Sequence, residues 1–389
     1  MRVTAGCSPT CRSRRGDSVL ALLATLVLQQ AQPAPYSRAQ AVSADGRLFA
    51  YSVDDGTLHL VTLPDGKPVC VATGAAGWID DLEFSPDSKE LAAIGLNFPM
   101  RIYSCADGKV LAEIAPHVTD HVTSRNERTV DYLDGGASLL ISGWSPVACL
   151  VERRSGKVLR EITLAPADEP DSAAPRSAAC VSEDRSRFAL ADEAGRLAIC
   201  SAKTGEFLAG PVSLAPLRGN SLAFDGLGKR LAVGASDCKV RVYELPSLEK
   251  PRELSHCDEN LFGDLEISSV RFSADGKTLL SASYTFWEVR LWDLETGKQR
   301  WAHDYGGGNP TMIQARFTPD GAHVIVSKGG VRLDGKLGTP LAPLGREQRT
   351  DFGIGGRYAW CAHGSKLEVY DVSADKLVCE LPLAAPAPR

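Results

Sequence analysis

The chain contains no Cys-x-x-Cys pair, no Gly-x-Ser-x-Gly and no His-Glu-x-x-His, and beyond its first thirty or so residues it has no apolar run long enough to cross a bilayer. Each absence closes off a class. Without closely spaced cysteines there is no thioredoxin-like motif and no disulfide framework to read. Without the serine elbow or the paired-histidine helix, the common hydrolase and zinc-protease signatures fail. Gly276-Lys277-Thr278 looks like the end of a phosphate loop, but Arg271 stands where that loop needs its first glycine, and the triplet sits in a β-turn sequence. Gly353-Ile354-Gly355-Gly356 lacks the third glycine and the helix of a dinucleotide fingerprint. Basic charge is not in excess either: 43 Lys and Arg face 48 Asp and Glu.

The N-terminus reads differently from the rest. Arg2, Arg12, Arg14 and Arg15 precede an apolar stretch over residues 19–28, and Gln29-Gln30-Ala31-Gln32-Pro33-Ala34 follows. A basic region, a ten-residue apolar core and small residues predict a secretory signal peptide over 1–34, too short for a transmembrane helix. An uncleaved anchor or a plain leader is the alternative, since no Ala-x-Ala site stands out. Removing the four arginines and Asp17 leaves 39 basic against 47 acidic side chains, a net charge of −8. Such a surface repels phosphate backbones, so nucleic acid is not an expected partner, and no membrane span remains after signal removal. Nine cysteines also remain, with Cys70, Cys180, Cys200 and Cys379 inside apolar strand-like runs, where they read as small buried hydrophobes. Export would permit a disulfide, but no spacing points to one.

What the chain has in abundance is a returning phrase: Phe84-Ser85-Pro86-Asp87, Phe272-Ser273-Ala274-Asp275-Gly276 and Phe317-Thr318-Pro319-Asp320-Gly321. Alignment on its fourth letter gives Asp45, Asp87, Gly135, Asp184, Leu227, Asp275, Asp320 and Gly355, in steps of 42, 48, 49, 43, 48, 45 and 35 residues. Strand-like units at periods of about 40 to 50 residues predict propeller blades. The clearest unit predicts strands at Ile267–Phe272, Thr278–Ser283, Glu288–Asp293 and around Arg300-Trp301-Ala302. They are joined by Ala274-Asp275-Gly276 and Thr296-Gly297 turns, where glycine accepts positive φ. Third-strand phrases recur at Lys239–Glu244 and Lys366–Asp371, and third turns at Asp65-Gly66, Asp107-Gly108, Ser155-Gly156 and Thr204-Gly205. One such meander cannot cover both its faces, so neighbours must stack. The expected fold is an all-β propeller over 35–383, with eight blades of four antiparallel strands and a disordered tail over 384–389. The thin seventh unit, with Val331-Arg332-Leu333 as third strand and 337–344 as fourth, leaves seven blades plus an irregular unit as the alternative. Residues 377–382 are expected to supply the last outer strand, with 35–38 as the competitor for closing the ring.

These phrases resemble the WD-repeat β-propeller family, the resemblance running from about residue 39 to 383 and resting on Leu291-Trp292-Asp293-Leu294-Glu295-Thr296-Gly297, Val242-Tyr243-Glu244 and the turns above. The likeness is to divergent bacterial members. Only one unit keeps Trp-Asp; Val61, Tyr103, Val151, Cys200, Tyr243 and Tyr370 take the tryptophan position elsewhere, and the Gly-His pair is missing. The family's His-Ser-Trp-Asp tetrad is therefore expected to be mostly absent.

The resemblance implies that interblade connections and second turns share one face. It would gather the longest insertions, 114–130, 165–177, 252–266 and 303–313, with Trp78, Phe98, Trp144, Tyr284, Phe286 and Trp287. Large rigid rings on long loops are either partner contacts or packing for neighbouring loops. Asp120 lies between His117 and His121, and His256 precedes Cys257; these histidines are the candidate metal ligands, although neither cluster matches a known spacing. Two residues before the serine-like letter of each unit stand Ala41, Glu83, Asp131, Cys180, Ala223, Arg271, Arg316 and Asp351. Pointed into the channel, they form an acidic arc facing a basic one; otherwise they are salt bridges between adjacent blades. The expected function is a non-enzymatic, exported interaction module for an unknown protein or small ligand, with no cofactor. The alternative is a lactonase-like or quinone-linked dehydrogenase-like propeller enzyme working at the channel mouth.

Overall fold

The computed structural model describes residues 39–53, 56–72, 78–96, 98–114, 129–143, 145–166, 176–256, 266–283, 287–304, 313–327, 330–342, 344, 353–363 and 365–383. All belong to a compact unit running from Tyr36 to the C-terminus. The expected signal peptide and the C-terminal tail lie outside them.

Thirty-one strands form eight antiparallel sheets, each from consecutive strands, arranged as an eight-bladed β-propeller. The blades span 40–72, 78–114, 129–162, 176–213, 219–255, 267–304, 315–334 and 353–382. Among the described residues the one helical turn is a 3-10 turn at Asp134–Gly136. The repeated phrase is the knot of each first hairpin. Ser43, Ser85, Ser182 and Ser273 each donate to the aspartate two residues on, at 2.6 to 2.7 Å, and each Oγ accepts the backbone N–H five residues on. Thr318 and Asp320 repeat the device. In blade 5, where the aligned fourth letter was Leu227, Asp225 takes the serine's place and its Oδ1 accepts the N–H groups of Lys229 and Arg230.

Middle strands are buried on both faces, as in Ser138–Ser142 and Thr278–Ser283, whereas fourth strands such as Val110–Ile114 are largely exposed. Second strands such as Leu-Leu-Ile at 139–141 carry short apolar runs, whereas third strands such as Glu288–Asp293 alternate charged and apolar residues. The buried side chains fall into eight clusters, one at every blade junction, and the eighth joins the last blade to the first. There Phe49, Tyr51 and Leu63 pack with Trp360, Leu367 and Leu381. Phe49 and Trp360 meet edge to face at 5.1 Å, Trp360 Nε1–H donates to Gln40 Oε1, and Tyr51 O–H donates to Pro382 O. Gly66, at φ +66°, lets the third turn of blade 1 sit on the outer strand of blade 8, where a Cβ would come within 2.9 Å of Cys379 Cβ. The last blade supplies its own outer strand at Lys376–Pro382, and the described residues close the ring by packing; the competing segment 35–38 lies outside them.

Blade 7 departs from expectation. Its third strand is Arg332–Asp334, and the expected fourth strand over 337–344 is reduced to a single bridge between Leu333 and Pro340. Trp301 of blade 6 shores it up, donating its indole N–H to Gly335 O at 3.3 Å.

Blade 6, the one that keeps Trp-Asp, retains three members of the tetrad. Ser281 Oγ accepts the indole N–H of Trp292 at 2.7 Å and is hydrogen-bonded to Nε2 of His256, a residue only 1% exposed. His256, a metal candidate by sequence, is therefore a packing element that ties the end of one blade to the next. Burial first, then the nearby Arg290, push its pKa down to about 3. Because the folded value lies below the unfolded one, this stability is complete above about pH 6.5 and is lost as pH falls toward 3.

Two outcomes are expected. A double-mutant cycle between Phe49→Leu and Trp360→Leu yields a coupling of about 0.5–1.5 kcal/mol in urea unfolding, and zero coupling would mean the ring does not close there. Wild type loses on the order of 2 kcal/mol more than His256→Gln between about pH 6.5 and pH 4; parallel profiles would refute the assignment.

Candidate functional site

A cavity of about 480 Å³ occupies the channel, lined chiefly by first strands of blades 2 to 6 together with Gln314 of blade 7. It lies at the starting ends of these strands, beside the points where the long interblade segments re-enter the blades. In four blades the first strand carries one extra residue against its neighbour, at Asp80, Ser177, Asn220 and Ser268. A bulge breaks strict alternation. At Asn220-Ser221 and Ser268-Ser269 it brings two successive side chains to the cavity wall.

The acidic side is built from blades 2 and 3. Asp81 accepts the backbone N–H of Leu82 and that of Val130 in the next blade, both at 2.9 Å. Burial pushes its pKa well above the usual range despite those bonds. Glu83 pairs at 2.9 Å with Arg185, which also donates to Tyr132 O at 2.7 Å. Arg185 comes from the first turn of blade 4 at φ +54°, so this ion pair spans blade 3 and joins two blades that are not adjacent. Asp131 has no cation of its own among the described residues. Burial, then the charge of Glu83, raise its pKa to about 7.

The basic side is built from blades 6 and 7. Arg271 donates to its own strand at Val270 O, and burial lowers its pKa. Arg316 is lowered to about 10 by burial and then by the charge of Arg271. Its Nε, like Nδ2 of Asn220 and Oγ of Ser221, finds no partner. Glu83, Asp131 and Arg271 thus line the cavity, while Arg316 stands beside Arg271 off its wall. No ion pair joins Asp131 to Arg271 or Arg316 among the described residues.

Of the other positions in the column, Ala41 and Ala223 are apolar, and the Cys180 thiol is pushed up to about 12 by burial. Asp351, His117 and His121 lie outside the described residues, as do Trp144, Tyr284 and Phe286. Trp78 and Phe98 open strands Trp78–Phe84 and Phe98–Ser104. Trp287 sits at φ +58° in the second turn of blade 6, half-buried against the junction with blade 7. Among the described residues no three metal-ligating side chains come together. Sequence reading missed Asp81 and Ser221, one pleat above the column it tracked, and Asn220, which reaches the wall only through its bulge. It also missed Arg185, which arrives from a turn.

An uncompensated buried carboxyl costs stability when ionised. The folded pKa of Asp131 is raised, so its destabilising effect is absent below about pH 4 and grows as pH rises through about 7. Asp131→Asn is expected to raise unfolding stability at pH 8 by more than about 1 kcal/mol and to leave it unchanged near pH 4. Equal or lower stability at pH 8 would show that the carboxylate has a partner.

No protein-family model matches the chain. Coronin-7 of Mus musculus is 30% identical over 143 residues, 36% of this chain and 15% of that protein. Coronin-7 of Homo sapiens is 29% identical over the same shares, so the match spans 15% of the length of these relatives. Among solved structures, the computationally designed Ika8 protein superposes with a TM-score of 0.63 at 13% identity, over 88% of this chain and 98% of that one. The Cps50 (Swd1) β-propeller domain of Myceliophteria thermophila gives 0.54 at 17% identity, over 78% and 95%. Identities this low in the structural matches speak to fold alone; together with the local Coronin-7 similarity, they support a WD40-like β-propeller.

Proposed function

We propose that the protein is an exported, non-enzymatic interaction module that engages a protein partner on the face where the channel cavity opens. The observation that carries this reading is the closed wheel. Its apolar blade flanks are consumed by the eight junctions, which leaves strand ends, interblade segments and the channel mouth as the surfaces free to vary. The WD40-like fold supports a role in protein interaction, and the longest insertions, 114–130, 165–177, 252–266 and 303–313, all connect to strands at that face. Export rests on the basic and apolar pattern of residues 1–34.

The test compares partners captured by the full-length protein with those of Trp144→Ala/Phe286→Ala and of the triple variant that adds Trp287→Ala. Because Trp287 packs on a blade junction, each variant is first checked for an unchanged melting transition. Loss of the main partner by about tenfold or more in the double variant is the expected result. Unchanged capture would refute the face, and turnover of a lactone or an alcohol by the purified protein would refute the non-enzymatic reading. Export predicts a mature N-terminus beyond Leu28; a cell-retained, uncleaved chain would contradict it.

A further inference from the structure

The channel cavity goes beyond a partner-docking face, because its wall has two separate poles without an ion-pair partner among the described residues. On one side Asp131 has no cation among the described residues, and its neighbour Glu83 is already neutralised by Arg185. On the other, Arg271 has only a backbone carbonyl, with Arg316 behind it lacking an acceptor for Nε. Asn220 and Ser221 of blade 5 border the wall between them, with Nδ2 and Oγ turned away from the open space. Buried charges without partners are costly and uncommon, and here Asp131 and Arg271 border one space of ligand size. A simple anion would satisfy the arginines but face the carboxyls; a simple cation would do the reverse. A molecule carrying both charges meets both poles.

We propose that the channel binds a small zwitterion of the amino-carboxylate class, its ammonium on Asp131 and its carboxylate on Arg271. Asp81 and Glu83 face the ammonium end from blade 2, while from behind the wall the charge of Arg185 acts on Asp131, and Cys180 and Arg316 act with Arg271. Since Asp131 must be ionised to hold the ammonium, affinity rises between about pH 5 and pH 8.

The experiment titrates the full-length protein, with no partner present, against glycine, β-alanine, 4-aminobutyrate and 6-aminohexanoate as rulers of charge separation. Acetate and methylammonium serve as single-charge controls, and binding is read by calorimetry. At least one zwitterion is expected to bind with a dissociation constant below about 1 mM and about tenfold or more tightly than either control. Asp131→Asn and Arg271→Gln should each weaken that zwitterion by about tenfold or more. Asp131→Asn is expected to fold at least as stably as wild type, so its loss of binding cannot be laid to unfolding. If no zwitterion exceeds both controls, or if Asp131→Asn binds it as well as wild type does, the proposal is overturned. Because no macromolecular partner takes part, its failure is separable from failure of the docking face.

Discussion

The apolar flank on both sides of every blade is the constraint from which the rest follows. A four-stranded sheet with its middle strands buried on both faces cannot stand alone or at the end of a row, because one flank would remain in water. At roughly 1.5–3 kcal/mol for each large side chain buried, leaving the Phe49, Leu367 and Leu381 junction open would cost a substantial part of a domain's net stability. Closing the row into a circle removes the last open flank. It also brings residues more than three hundred positions apart into contact, which is why Trp360 reaches Gln40 and Tyr51 reaches Pro382.

Much of this was legible because the device that makes each blade is local. A serine or threonine, an aspartate two residues later and a glycine near the turn fix the first hairpin within a handful of residues, so they leave a readable trace wherever the hairpin occurs. The trace blurs where chemistry is conserved but residue type is not. Asp225 performs the serine's task with a carboxylate, so alignment on letters landed on Leu227 while the function stayed two residues earlier. It fades again in blade 7, where the outer strand is a single bridge and the neighbouring Trp301 supplies the cover. His256 eluded sequence reading for a different reason. Without a preceding glycine it looked like a loop histidine, and only the approach of Ser281 and Trp292 shows it to be a blade tie.

The channel was half legible. Period-two counting found Glu83, Asp131, Arg271 and Arg316 because one residue per blade at a fixed distance from the turn needs only the strand's alternation. The upper wall lies beyond the bulges, where alternation is interrupted, and no residue pattern in a single sequence announces an extra residue opposite Gly234 or Ala282. Arg185 was hidden more deeply. It leaves a turn and crosses a whole blade, so its partnership with Glu83 is a property of the ring and not of any unit.

That partnership separates the channel's structural charges from those available for recognition. A carboxylate paired across two blades serves as a strut; an unpaired one in the same enclosure is an electrostatic debt that the fold carries. Glu83 and Asp131 are equivalent by position, in adjacent blades, yet Arg185 can reach only one of them fully, and the other is left with a proton affinity near neutrality. Mirroring this, Arg271 and Arg316 stand side by side with no carboxylate between them among the described residues, each depressed by burial. A chain optimised only for a stable wheel could fill these positions with the small apolar residues it uses at Ala41 and Ala223. Charge appears instead in two opposed arcs, and in a rigid ring neither arc can move to neutralise the other. Neutralisation must then come from protons, from ions or from a ligand, and the fixed spacing of the blades makes the geometry of that ligand selectable.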